Sequence, residues 1–203
     1  MGGLGVAGMA SASVIVGTGT GVTNTLLTTP NVTGFKFADG GVGHALVVPY
    51  YTVQNGNMTV LHLTNTDTKN GKVAKIRFRG ASNADDVFSF TVYLSPNDVW
   101  AAEISQNPDT GLARLYTPDD SCAPPAAINR DFNPIRVNHV PSETREGYIE
   151  IQTMADVVPG TDVFNAINHV NGKLPAPCTG NVPTPTALRN LVTEAGVASA
   201  GFG

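Results

Sequence analysis

Between positions 59 and 94 the chain alternates apolar and polar residues in three successive stretches. No other feature limits the possible fold as much. In Thr59–Thr64, Leu61 and Leu63 share one side, while Val60, His62 and Thr64 share the other. In residues 72–79, Ala74, Ile76 and Phe78 oppose Lys75, Arg77 and Arg79. In residues 88–94, Phe88, Phe90, Val92 and Leu94 oppose Ser89, Thr91 and Tyr93. Strand side chains point to opposite faces with period two, whereas a helix needs apolar residues three and four apart. These stretches therefore read as three neighbouring strands, each with one buried and one wet face, as antiparallel sheets have.

The connections carry turn chemistry. Asn55-Gly56 is a hairpin signal, because both residues tolerate positive φ. Residues 65–71 (NTDTKNG) end in a second Asn-Gly, and residues 80–86 are polar without hydrophobic period. Ser95-Pro96-Asn97-Asp98 reads as a type I turn with Pro second. Residues 45–53 extend the pattern, with Pro49 placing that strand at an edge or a bulge. Residues 35–37 read as another strand, and residues 99–104 and 112–116 as a hairpin. Residues 147–153 read as a last strand, with Ile149 and Ile151 inward. Trp100, the sole tryptophan, is expected in the core with its N–H on a carbonyl. The predicted core is Ile76, Phe78, Phe88, Phe90, Val92, Leu94, Trp100, Ile149 and Ile151. Beyond it, residues 162–170 read as a short helix capped by Thr161, and residues 186–195 as a second, stopped by Gly196. The fold class expected is mainly β: an antiparallel, Ig-like β-sandwich with one or two short C-terminal helices.

Four regions follow. Residues 1–12 resemble the tail of a signal peptide, or else a flexible terminus. Residues 13–30 read as an extended arm rich in Gly and Thr, residues 31–155 as the sandwich, and residues 156–203 as a Pro-rich, helical extension packed on it. In the arm, Val14, Ile15 and Val16 precede Gly17, Gly19 and Gly21, which superficially resembles a strand entering a dinucleotide-binding loop. Position 22 holds Val22 where the third glycine belongs, and no helix start follows. The arm fits strand pairing better, within its own sheet or with a neighbour's edge.

Charged residues make up 14% of the chain and the formal net charge is -4, which argues against nucleic acid as a partner. The column Lys75, Arg77, Arg79 is the sole basic cluster and reads first as the solvated side of a strand. No stretch is long and apolar enough for a membrane-spanning helix. Two cysteines, Cys122 and Cys178, lie in Pro-rich loops without zinc-ligand spacing. They read as one disulfide, which implies an oxidising compartment and contributes about 4 kcal/mol in the chain-entropy picture. Two unrelated buried thiols are the alternative.

Chemistry-bearing residues do not converge in the sequence. His44, His62, His139 and His169 are scattered, and no serine sits in a nucleophile-elbow context. Asp85-Asp86 and Asp119-Asp120 read as turn residues bonding their own backbone. Lys69 occupies a ligand position in a calcium-loop reading of residues 65–71. No catalytic residue, metal or cofactor is therefore expected. Asn31 and Asn57 begin glycosylation triplets, which matter only in a host that makes N-glycans. Tyr50, Tyr51, Tyr93 and Tyr116 are candidates for a sugar-binding platform.

The motifs PYYTVQNGN, KIRFRGASN and FTVYLSPNDVW, followed by SCAPP around Cys122, REGYIEI and Cys178, resemble a family of secreted, largely uncharacterised surface proteins of Gram-negative bacteria. The resemblance covers roughly residues 44–180. It implies an extracytoplasmic location and a disulfide, and no catalytic residues. The function expected is that of a non-enzymatic, extracellular structural subunit of a surface filament or layer. Its partners would be further copies of itself, joined by strand exchange of the arm. The alternative is a carbohydrate- or surface-binding module, with surface polysaccharide as its partner.

Overall fold

The computed structural model describes residues 43–123 and 128–170. Across them the protein is mainly β, with two antiparallel sheets and few helices. One sheet takes the order β1 (Ala45–Thr52), β7 (Glu146–Val157), β3 (Gly71–Gly80), β4 (Asp86–Leu94). The other takes the order β2 (Thr59–Thr64), β5 (Val99–Gln106), β6 (Ala113–Tyr116). The alternation in β2, β3 and β4 aims one set of side chains at a shared interior. Leu61, Leu63, Ile76, Phe78, Phe88, Phe90, Val92, Leu94, Trp100, Ile149 and Ile151 all belong to one buried cluster. Its aromatic members touch: Phe88 stacks on Phe132 at 5.0 Å between ring centroids, and Tyr51 meets Phe78 edge-on at 5.5 Å. Such pairs contribute about 0.5–1.5 kcal/mol each beyond the area they bury.

Pro49 lies on an edge strand, inside the register shift between Val48 and Tyr51. The sheet thus loses no ladder bond to the missing N–H. The polar residues 80–86 join β3 to β4 as a hairpin, and β5 pairs with β6.

Other connections differ from the sequence reading. β2 is not a neighbour of β3; it pairs with β5 in the other sheet. Asn55 and Gly56 do take positive φ, 54° and 76°, yet they carry the chain between sheets rather than closing a hairpin. Residues 65–71 make a second crossing. Asp67 Oδ1 accepts the N–H groups of Lys69 and Asn70, and buried Asn65 donates to the carbonyls of Asn70 and Ser95 at 2.9 and 2.8 Å. Side-chain-to-backbone bonds of this kind give the chain a local alternative to the hairpin, and Gly71 simply opens β3. The 95–98 turn is type II rather than type I, because Asn97 has φ 58°, which asparagine tolerates.

The outer face of β3 and β4 is not wet along its whole length. Val73 and Tyr93, on the same faces as Lys75 and Thr91, are buried in a second apolar cluster. The helix α1 (Asp162–Ile167) brings Val163 and Ile167 onto them. Thr161 caps α1, its Oγ1 accepting the Phe164 N–H at 3.1 Å. A bulge at Met154 turns Ala155 and Val157 to the same side. Burial pushes the Tyr93 hydroxyl up to about 12.

One rim of the shared core holds ions. Lys72 Nζ lies 3.0 Å from Asp67 Oδ2 and 2.6 Å from Asp156 Oδ1. Burial works against both the Asp67 and the Lys72 charge, but hydrogen bonds outweigh it. Asp67 is held far below the usual carboxylate range by the Asn70 and Lys69 N–H groups and by Lys72. Lys72 is raised by Asp156 and Asp67. The depressed Asp67 stabilises the fold above its unfolded pKa of about 3.9, and that contribution is lost as pH falls toward the folded value. The raised Lys72 contributes fully below about 10.4 and loses its contribution as pH rises through its folded value. Urea midpoints are therefore expected to fall on the acid side of pH 4. Asp67→Asn should flatten that acid limb and lower the neutral midpoint; an unchanged limb would remove Asp67 from the explanation.

Candidate functional site

Each sheet ends in two edge strands, and unpaired edges are where chains add to one another. Three of the four edges are blunted. β1 is broken by Pro49 and its register shift. β4 is bonded at both ends by loop backbone: Tyr93 N–H to the Cys122 carbonyl and Asn133 N–H to the Val87 carbonyl, each at 2.8 Å. β6 is covered by residues 128–132, through Leu115 N–H to the Arg130 carbonyl, Phe132 N–H to the Ala113 carbonyl and the Arg114–Asp131 bridge. Among the described residues β2 is bare. It pairs with β5 in unbroken register from Thr59 to Thr64. It carries no proline or lysine, and Val60 on its outer side is 59% exposed.

The sheets are also unequal, four strands against three. Leu46 and Val48 of β1 pack against the core yet stay only partly buried. A strand added beside β2 would widen the narrower sheet to match the other in strand number.

A second feature is the outer face of the larger sheet. Register aligns three rows across its strands. Gln152, Lys75 and Thr91 form one row, Glu150, Arg77 and Ser89 the next, and Tyr148, Arg79 and Asp86 the third. Arg79 Nε bonds Glu150 Oε2 at 3.0 Å. Lys75 and Arg77 make no ion pair among the described residues.

The remaining candidates do not gather. Tyr51 and Tyr93 are buried, so the four-tyrosine platform does not form. Tyr51 donates to the Thr144 carbonyl at 3.1 Å. Tyr50 and Tyr116 are exposed but stand on different sheets. Trp100 is fully buried, and its Nε1 has no hydrogen-bond partner among the described residues, contrary to the expected carbonyl. Apolar neighbours such as Phe90, 5.4 Å away between ring centroids, surround the indole. Asp85 accepts from the Asp86 N–H and from Arg136, and Asp119 accepts from the Ser121 N–H.

His169 Nδ1 sits 3.0 Å from Ser95 Oγ and 3.5 Å from Asp98 Oδ1. Both contacts fall on one ring nitrogen. A relay from serine through imidazole to carboxylate needs both nitrogens, so this is a latch rather than a triad. The described residues hold no group of three His, Cys, Asp or Glu side chains placed for a metal, and no described helix is long and apolar enough to cross a membrane.

Cys122 is buried, and no described cysteine is free. Cys178, residues 186–195 and the arm residues Val14, Ile15, Val16, Gly17, Gly19 and Gly21 lie outside the described residues, as do residues 35–37.

Sequence reasoning gave Tyr51 to a sugar platform rather than to the core, and it missed Phe132 and Thr144. Thr144 Oγ1 accepts the Ala113 N–H at 3.0 Å, and its carbonyl takes the Tyr51 hydroxyl. Neither Phe132 nor Thr144 belongs to a period-two stretch that would mark it. The chain matches no protein-family model, no curated protein and no solved structure, so what these features do is read from their own geometry.

Proposed function

We propose that this is a non-enzymatic, extracellular structural protein, an Ig-like β-sandwich that polymerises into a surface filament or layer. Residues 13–29 of one copy add a strand to the β2 edge of the next. The observation that carries this reading is the β2 edge, bare among the described residues beside three blunted ones, with Leu46 and Val48 only partly buried. Six paired residues span about 20 Å, a length that residues 14–19 (VIVGTG) match with β-branched side chains and glycines that admit a close backbone. Backbone ladders supply affinity in such additions, and alternate side chains supply specificity. A Cys122–Cys178 disulfide belongs to the same proposal, as does the resemblance to secreted surface proteins.

Size-exclusion chromatography with light scattering provides the test. The full chain is expected to form high-mass species. Removing residues 13–29 should yield monomers, and Val60→Lys should shift the full chain toward monomer by charging the edge. A full chain that stays monomeric at high concentration sinks the proposal, as does a deletion that still assembles.

A further inference from the structure

The outer face of the larger sheet keeps two cations, Lys75 and Arg77, that make no ion pair among the described residues. Successive outward residues of a strand lie about 7 Å apart, so Lys75 and Arg77 are like charges side by side. Burial, and then the charge of Arg77, pull Lys75 below its ordinary value; Asp86 pulls the other way. Arg79, the third cation, is already matched by Glu150. Asp86 and Glu150 offset part of this repulsion, and an anion from outside would offset the rest.

The neighbours say what kind of group fits. Lys75 stands between Gln152 and Thr91, and Arg77 between Glu150 and Ser89. Lys75 is thus flanked on both sides by neutral hydroxyl or amide groups that exchange hydrogen bonds with alcohols, whereas Arg77 has the Ser89 hydroxyl on one side and the Glu150 carboxylate on the other. Glu150 and Asp86 thin out the positive field, and the whole chain is acidic at -4. Nucleic acid would meet those carboxylates with a phosphate backbone that offers few hydroxyls, and it would need a continuous basic surface. A polyuronate also carries one carboxylate per unit, but the free hydroxyls of each sugar can bond the neutral side chains beside the two cations.

We propose that this face, centred on Lys75 and Arg77, binds an acidic polysaccharide of the uronic-acid type. Carboxylates engage the two cations, and sugar hydroxyls engage Ser89, Thr91 and Gln152. The face lies on the opposite sheet from β2, so the inference does not depend on strand exchange.

Affinity electrophoresis of the full chain through gels containing polygalacturonate tests it. Neutral dextran, heparin and single-stranded DNA serve as comparison gels. Polygalacturonate is expected to retard the protein, dextran is not, and added salt should abolish the effect. Lys75→Gln with Arg77→Gln should weaken retardation by on the order of tenfold per lost charge-assisted contact, with an unchanged size-exclusion profile. Glu150→Gln releases Arg79 and should strengthen retardation, an outcome that misfolding does not imitate. The proposal is overturned if polygalacturonate gives no retardation at low salt, or if the double variant is retarded like the parent. Weaker retardation in Glu150→Gln would also overturn it. Stronger retardation by DNA or heparin than by polygalacturonate would overturn the ligand class.

Discussion

Gly147→Ala is expected to cost about 3 kcal/mol or more, the upper range for overpacking a filled core. Gly147 sits in β7 opposite Gly80 of β3 and opposite Tyr51 of β1. A methyl group there would run into the backbone carbonyl of Arg79 and would also meet Tyr51 Cε1 at 3.0 Å. A flexible side chain can step aside, but a carbonyl in the middle of a ladder cannot do so without breaking the β3–β7 pairing. That pairing joins the two central strands of the larger sheet, so the damage spreads to both faces. For a chain of this size each kcal/mol lowers Tm by about 2–4 °C, and a drop of roughly 10 °C should appear in a circular-dichroism melt. A Tm within about 2 °C of the parent would show that the strands have room after all.

Trp100 should show the next largest effect. Trp100→Ala is expected to cost about 3–5 kcal/mol, as deletion of a large buried aromatic does. Trp100 is fully buried where β5 faces β4, and its ring touches Phe90. Trp100→Phe should be much milder than its volume loss alone implies. The indole N–H has no acceptor among the described residues, so replacing it with carbon removes a buried polar group that already carries an unmet desolvation cost. Urea unfolding of the two variants separates the contributions. If Phe costs as much as Ala, shape rather than burial dominates the site, and the unpaired N–H is not a liability.

The strands of the 59–94 region were legible because a period-two pattern belongs to residues next to one another in the chain. Ile76 and Phe78 must point the same way in any strand that holds both. Turn chemistry was half legible. Asn55 and Gly56 advertise positive φ, but the same φ serves a hairpin or a passage between sheets. The choice depends on whether the flanking strands find better partners elsewhere, as β1 does with β7. The wet faces were misjudged where α1 returns to cover Val73 and Tyr93, since nothing near those residues announces a distant helix.

The candidate sites divide in the same way. The Lys75–Arg77–Arg79 column was visible as three cations on one strand face. That Arg79 is matched while the other two are not became clear only with Glu150 in register, more than seventy positions along the chain. Likewise the amino-acid order determined that residues 59–64 are a strand with Leu61 and Leu63 inward. Only the tertiary structure decided that this strand lies at an edge that nothing else among the described residues covers. Side-chain direction is a local consequence of the pleat, whereas the openness of an edge is the result of every other strand having been placed first.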